Sequence, residues 1–316
     1  MMTKPIPIFL AINDAYAPFL SVTIASITAH ADPHQSYELI ILSEALSSEN
    51  RERLGKMATA TVTIRFVRID ERFIHQLAGE SRALPWAQFS FAIYYRLFIA
   101  KMFPQYDQAI YLDADLVVTT DLAALFTIDL GQHLVGAVRE NFAIEHPQSR
   151  RYVERRLQLP IDQYFNSGVL LLNLKQMRLE RFSEKFVHVL TTNHPDFMAP
   201  DQDYLNELCR GRVLYLDRCW NVMPTLSSRK VVPKIVHYTL FSKPWHNPNA
   251  QNAQYFWADA VNSPYYAEIL AMQRAFSAAD RAQDRLAERR LLKTLAHYAN
   301  APQTGVRQIR KEMELI

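Results

Sequence analysis

Glycine is scarce in this chain of 316 residues, occurring only at 55, 79, 131, 136, 168, 211 and 305. None of these begins a GxGxxG run after a strand, and Gly131 and Gly136, which have P-loop spacing, are followed by Ala137-Val138 instead of Lys-Ser/Thr. Backbone phosphate cradles of the dehydrogenase and P-loop kinds are therefore excluded. Cysteine is rarer still: Cys209 and Cys219 are too few and too far apart for a CxxC pair or a zinc cluster, which predicts free thiols in a reducing cytoplasm. No apolar run reaches the roughly 18 residues of a membrane span; the longest, Phe91 to Phe103, is broken by Arg96 and Lys101. The opening MMTKPIPIFLAIND has one lysine, an apolar segment interrupted by Pro5 and Pro7, and no small-residue cleavage site, which predicts no export. HExxH, GxSxG and Cys-centred nucleophile motifs are also missing. A phosphorylated ligand bound by this chain needs a cation to hold it.

Hydrophobic residues make up 49% of the chain and charged residues 21%, enough for one large core, or one core with a small appendage. The formal charge of +3 is unevenly placed, since residues 274–316 hold nine Lys or Arg against five Asp or Glu. Basicity at one end favours docking on an anionic surface over a nucleic-acid groove, so no nucleic-acid partner is expected.

Short β-rich runs alternate with helical periodicity. Residues 6–12, 37–42 and 61–69 read as strands, and helices are expected over 17–31, 47–58 and 89–103. Further strands are expected at 109–112, 133–138, 167–174 and 234–238, with one helix over 175–192. This βαβα order predicts a mainly parallel sheet covered by helices, with a site at the carboxyl ends of its strands. Beyond about residue 250, Arg285, Arg289 and Lys293 fall at i, i+4, i+8, and Leu291, Leu295 and Tyr298 at i, i+4, i+7, the pattern of a basic amphipathic helix.

The run AIYLDADLVV (109–118) carries a buried-strand pattern straight into two carboxylates. Close carboxylates repel unless water, a base or a metal neutralises them. Oxygen ligands with an imidazole suit Mn²⁺ or Mg²⁺, with diphosphate oxygens filling open positions. Alone, Asp-x-Asp is equally turn or capping chemistry. A histidine such as His237 in an apolar strand is by itself usually a satisfied core residue, and Arg96 on an apolar helix equally a buried ion-pair partner.

Five motifs occur in order: AIYLDADLVV, TTDLAALFTIDL, YFNSGVLLLNL (164–174), DQDYLNEL (201–208) and VHYTLFSKPW (236–245). Over about residues 6–248 the sequence resembles the retaining glycosyltransferases of family 8, which include lipopolysaccharide galactosyl- and glucosyltransferases and glycogenins. The resemblance implies a GT-A type α/β nucleotide-sugar-binding fold, with a mainly parallel mixed sheet flanked by helices in residues 1–250. Residues 251–316 form a basic helical C-terminal extension. It implies Mn²⁺, with Mg²⁺ as the other candidate, on Asp113, Asp115 and His237, and a UDP-hexose donor. Ala11, Asn13, Asp14 and Tyr16 match the turn that holds base and ribose. Arg96, Ala114, Glu140 and Asn166 match donor-binding positions, and Lys243 would reach the diphosphate and stabilise departing UDP.

Asp201 would hold sugar hydroxyls, and Gln202 would face the reacting carbon. An amide is a poor nucleophile beside the carboxylate of covalent retaining glycosidases. A front-face mechanism is therefore expected, in which the departing diphosphate helps accept the acceptor's proton. The bland reading of PDQD is a helix cap, and of Asn166 an Asx turn with Gly168 supplying the bend. Three positions depart from the family pattern: Asn13 and Glu140 each stand where Asp is usual, and Leu240 stands where glycine lets backbone approach the phosphates. The expected activity is hexose transfer, galactose or glucose, to a cell-surface glycan or glycolipid read by loops 71–88 and 141–163. The alternative is a sugar-nucleotide or glycan-binding protein of this fold with little turnover. A pyrophosphorylase would show a glycine-rich loop after the first strand, which AINDAYA lacks. The expected place is the cytoplasm, with the tail helix either on the anionic inner leaflet, leucines toward the lipid, or serving as a solvated helix or dimer contact.

Overall fold

The computed structural model describes residues 4–69, 91–192, 197–227 and 231–301. The loop 71–88 and the tail beyond 301 lie outside them. Nine strands are described: β1 Ile6–Ala11, β2 Tyr37–Ser43, β3 Val62–Arg68, β4 Ala109–Leu112, β5 Leu116–Val118, β6 Val135–Arg139, β7 Phe165–Leu172, β8 Val213–Tyr215 and β9 Ile235–His237. The longer helices are α1 Ala17–His30, α2 Ser48–Gly55, α3 Phe182–Thr192, α4 Pro200–Leu208, α5 Ala253–Ala260, α6 Tyr266–Ala275 and α7 Ala278–Asn300.

Seven strands form one sheet in the order β3-β2-β1-β4-β7-β6-β8. β1 runs parallel to β2 and β4, and β2 to β3, as the βαβα order predicts. β7 reverses this, pairing antiparallel with both β4 and β6, so the sheet is mixed. β4 is buried throughout, which explains its unbroken apolar run. Alternation sends Ile8, Leu10, Ile110 and Leu112 to one face, packed with α1, and Phe9, Ala109 and Tyr111 to the other, packed with α3.

Helix α1 is buried from Ala17 to Ile27, so its polar residues must find partners inside the protein. Thr23 donates to the Leu116 carbonyl at 2.7 Å, and Ser26 accepts from Val118 N at 2.9 Å. These hydroxyls fix β5 beyond the end of β4. β5 pairs with β9 in a separate two-stranded ribbon, with Leu116 opposite His237.

Two expected helices differ. The segment before β4 folds as a 3₁₀ helix over Phe91–Leu97 followed by one α-turn, Ile99–Met102. The helix expected over 175–192 is two, Leu174–Leu179 and α3, separated at Arg181, whose φ of 55° cannot continue a right-handed helix.

Helices α5 and α6 bury Phe256, Ala260 and Ile269 in the core shared with α1. α7 begins at a capping box, Ser277 accepting from Asp280 N at 3.2 Å while the Asp280 carboxylate accepts from Ser277 N at 2.8 Å. Leu286 is exposed, but Leu291 and Leu295 turn inward, which corrects their expected orientation toward lipid. Leu295 and Ala299 are buried against Tyr152, Val153 and Leu157, with Leu291 and Tyr298 packed on the same cluster. The exposed side carries Arg285, Arg289, Arg290, Lys293 and His297. No helix among the described residues is long and apolar enough to cross a membrane.

Candidate active site

The sheet delivers Asp113 at the end of β4, where its backbone N–H donates to Gly168 O at 2.8 Å. Two residues on, Asp115 lies beside His237, because β5 and β9 are in register there. The His237 Nε2 lies 3.2 Å from Asp115 Oδ1 and 3.7 Å from Asp113 Oδ2. One ligand atom from each of Asp113, Asp115 and His237 falls within 4.8 Å of the others.

Gly168 makes this closeness geometrically possible. It lies inside β7, not in a turn, and a Cβ there would come 2.1 Å from His237 Cε1 and 2.6 Å from Asp113 Oδ2. The glycine is thus required by the approach of imidazole and carboxylate.

A hydrogen-bond chain fixes the histidine's tautomer. Gly168 N donates to Asn166 Oδ1 at 3.0 Å, so Asn166 presents its amide nitrogen to Glu140 at 2.6 Å. Asn221 Nδ2 donates to the same Asn166 oxygen at 2.8 Å, which leaves Asn221 Oδ1 to accept from His237 Nδ1 at 3.1 Å. Nδ1 therefore carries a proton, and Nε2 is the ring nitrogen turned toward the two aspartates, a ligand atom once it is unprotonated. Asn221 supplies the outer-shell bond that metal-ligating histidines regularly have.

Fixed cations surround the carboxylates. Arg96, buried beneath them, donates to Asp113 at 2.9 Å and to Ser167 O at 2.7 Å, approaches Asp201 at 3.3 Å, and lies 4.3 Å over the Tyr111 ring. The Lys243 ammonium is bonded to Asp115. Burial acts to raise the Asp115 pKa, but Lys243 and then His237 overcome it and hold the carboxyl well below its usual range. Burial likewise opposes charge on Lys243, yet Asp115 outweighs it and keeps the ammonium protonated. Among the described residues, Asp113, Asp115 and Asp201 gather round Arg96, Lys243 and the His237 ring. The O, O, N donor set, with Nε2 aimed at both aspartates, and the close approach that Gly168 permits fit a divalent cation of the Mn²⁺ or Mg²⁺ type.

Two cavities meet at these carboxylates. A cleft of about 250 Å³ is lined by Ala11, Asn13, Tyr16, Arg96 and Ala114, the expected base and ribose side. Asn13 Oδ1 accepts from Tyr16 N at 3.2 Å and shapes that turn. Asp14 is not brought into it. Its carboxylate accepts from Ser47 N at 2.7 Å and Asn50 Nδ2 at 2.9 Å, tying the turn to α2. The second cavity, about 350 Å³, is lined by Arg96, Glu140, Asn166, Asp201, Gln202 and His237, and is closed by Leu291 and Leu295 of α7. Gln202 Oε1 accepts from Ser167 N at 3.1 Å, and Asp201 accepts from Ser167 Oγ at 2.9 Å. Leu240 borders the cavity in the left-handed region, with φ 51°, a conformation glycine adopts without cost.

Asp203, Ser167 and Asn221 are site residues that sequence reasoning did not single out. Asp203 is fully buried below Asp201 and Gln202, accepting from Tyr164 at 2.6 Å, Tyr152 at 2.7 Å, and Met198 and Ala199 N–H at 3.1 Å. Its signal was present in the third position of DQD, whereas nothing in the sequence marks Asn221.

The sheet, with an Asp-x-Asp at the end of its central strand, defines a GT-A type glycosyltransferase fold. The family model of glycosyl transferase family 8 matches residues 7–249, and the chain belongs to that family. It is similar to the lipopolysaccharide 1,2-glucosyltransferase of Escherichia coli K12, with 27% identity over 79% of this chain and 76% of that one. Among solved structures it is similar to the bifunctional glycosyltransferase WbbM, with TM-score 0.75 and 27% identity over 86% of this chain and 52% of that one. It is also similar to the galactosyltransferase LgtC in complex with donor and acceptor sugar analogues, with TM-score 0.62 and 26% identity over 82% of this chain and 96% of that one.

Proposed function

We propose that the chain transfers a hexose, galactose or glucose, from a UDP-sugar to a hydroxyl of a lipopolysaccharide-type surface glycan, with retention of configuration. The observation that carries this reading is the convergence of Asp113, Asp115 and the Nε2 of His237 beside Lys243. Those three residues would hold Mn²⁺, or Mg²⁺, which when bound neutralises diphosphate charge. Lys243 carries a fixed positive charge toward the leaving group. Ala11, Asn13 and Tyr16 receive the nucleoside. Glu140, Asn166 and Asp201 hold sugar hydroxyls, with Arg96 holding Asp201 in place.

In the transfer, the bond between the anomeric carbon and the diphosphate oxygen breaks, its electron pair leaving with UDP. The acceptor oxygen bonds to that carbon on the same face, and its proton passes to the departing diphosphate. Gln202, locked by Ser167 N, stabilises the positive centre with its carbonyl dipole. Residues 1–250 act as the donor-binding unit and 251–316 as the extension. The exposed basic side of α7 supports peripheral attachment to an anionic cytoplasmic leaflet through charge; binding to phosphatidylglycerol vesicles that persisted at 0.5 M salt, or never occurred, would remove that reading.

UDP release from a panel of UDP-sugars tests the function. One donor is expected to turn over with Mn²⁺, to fail with chelator, and to fail with Asp115→Asn. Leu240 favours the second reading, a binding protein of the same fold. Cation-dependent donor binding with no UDP release under any acceptor would establish it instead.

A further inference from the structure

A third cavity, about 390 Å³, lies beside the donor centre between loop 239–251 and the N-terminal half of α7. It is within the range of about 300–1,000 Å³ typical of small-molecule sites. It shares Phe142, Thr239 and Leu240 with the cavity that holds Asp201 and Gln202. The two spaces are therefore neighbours across one wall, and a ligand whose end reaches the reaction centre can extend over Phe142 and Leu240 into the third cavity.

We infer that this cavity binds the second sugar of the acceptor, so that the enzyme selects an uncharged glycan at least two residues long. The inference rests on the transferase reading above and extends it to acceptor choice.

The lining has the chemistry that polyhydroxylated ligands require. Phe142 and His146 stack at 4.0 Å with planes 25° apart, offering a flat apolar face to the C–H side of a pyranose ring. Around that platform stand fork-shaped donors and carboxylate acceptors, Arg285 and Glu288 of α7 among them. Among the described residues, these two side chains have no hydrogen-bond or ion-pair partner. Other charges in the wall are already engaged: Asp284 with His246 at 2.9 Å, Arg281 with Phe276 O at 2.7 Å, and Glu145 with Leu226 N at 2.8 Å.

Charge decides between a neutral and an anionic sugar. The wall holds Arg281 and Arg285 against Glu145, Asp284 and Glu288. With Asp284 engaged by His246, the wall offers an anionic residue no surplus of fixed positive charge, whereas hydroxyls pair with both signs. Arg285 and Glu288 also lie beyond the family match, which ends at residue 249. Acceptor length is thus read by a segment that the donor-binding motifs do not constrain.

The test uses the full chain, the donor that turns over in the UDP-release panel, and matched acceptors: methyl glucosides and galactosides against maltose, lactose and melibiose, with a sugar phosphate for charge. The wild type is expected to prefer a disaccharide over its matched monosaccharide in kcat/KM. In Arg285→Ala and in Glu288→Gln that preference is expected to fall about tenfold, the effect of losing one charge-assisted hydrogen bond. Arg285 is exposed and Glu288 half-buried, and circular dichroism checks that the variants are folded. Equal use of mono- and disaccharides by the wild type, a preference unchanged in both folded variants, or a preferred sugar phosphate would each overturn the inference. UDP release is scored with and without acceptor; its absence under every acceptor counts against the transferase reading, and its presence with any of those outcomes counts against the acceptor subsite alone.

Discussion

Gly168 and Asn221 act on the same imidazole from opposite sides. One leaves the space that His237 occupies, and the other fixes which nitrogen carries its proton. Gly168→Ala is expected to push His237 aside, because neither backbone nor ring can absorb a 2.1 Å contact. The cost is about 1–3 kcal/mol of stability. Asn221→Ala leaves the ring in place without its Nδ1 partner, with little change in melting temperature. Titration calorimetry with Mn²⁺ is expected to show affinity reduced about 10- to 100-fold in both variants; an unchanged affinity in Asn221→Ala would end the tautomer argument. These roles differ in legibility. Asp113, Asp115 and His237 carry chemistry in their residue types and could be named from motifs. Gly168 was visible but assigned to a turn, since sequence shows a missing side chain without showing what fills the space. Asn221 was invisible, its role arising only because residues distant in sequence meet.

The loop before α4, the start of β7 and the turn at Tyr152 are held together by one buried carboxylate. Burial lifts the Asp203 pKa to about 6, against the pull of Tyr164, Tyr152 and two backbone N–H groups. Its folded pKa thus lies above the ordinary value of 3.8, so the native state binds the extra proton in between. The contribution of this group to stability is full below about pH 4 and is lost as pH rises through 6, on the order of 3 kcal/mol at most. Asp203→Asn keeps an acceptor for Tyr152, Met198 and Ala199 and lets the Tyr164 hydroxyl turn to accept from the amide. Chemical denaturation from pH 4 to 7 is expected to show a falling stability difference, wild type minus variant, which a parallel pair of curves would contradict. At this scale the longer strands were legible because each is a short apolar run, buried almost throughout, set between helical segments. The pairing of β5 with β9 was not, for two strands of three residues carry no signal of partner or register. The helix break at Arg181 was also hidden, its 3.6-residue pattern continuing across the break.

The molecule as a whole places its family-specific chemistry on the sheet and closes it with α7. The amphipathic pattern of that helix was legible in the sequence, but which surface its leucines would meet was not, because lipid and a cluster around Tyr152 present the same apolar chemistry. Leu295 is 5% exposed within that cluster. Leu295→Ala is therefore expected to cost about 2–4 kcal/mol and to loosen the acceptor side of the site. Hydrogen exchange is expected to rise across residues 278–300 and around Tyr152, with β4 and β7 unaffected. Uniform loss of protection would show instead that α7 and the sheet unfold as one unit.

The ribbon of β5 and β9 joins residues separated by 122 positions, the Asp115 carboxylate and the His237 ring. A chain emerging from the ribosome exposes both aspartates well before it can supply the imidazole or Lys243. Until then the pair stands next to Arg96 alone, an acidic corner without its nitrogen ligand. The cluster of Asp113, Asp115, His237 and Lys243 is thus completed late in synthesis, and a product cut short before residue 237 has most of the sheet yet lacks both the imidazole and the ammonium.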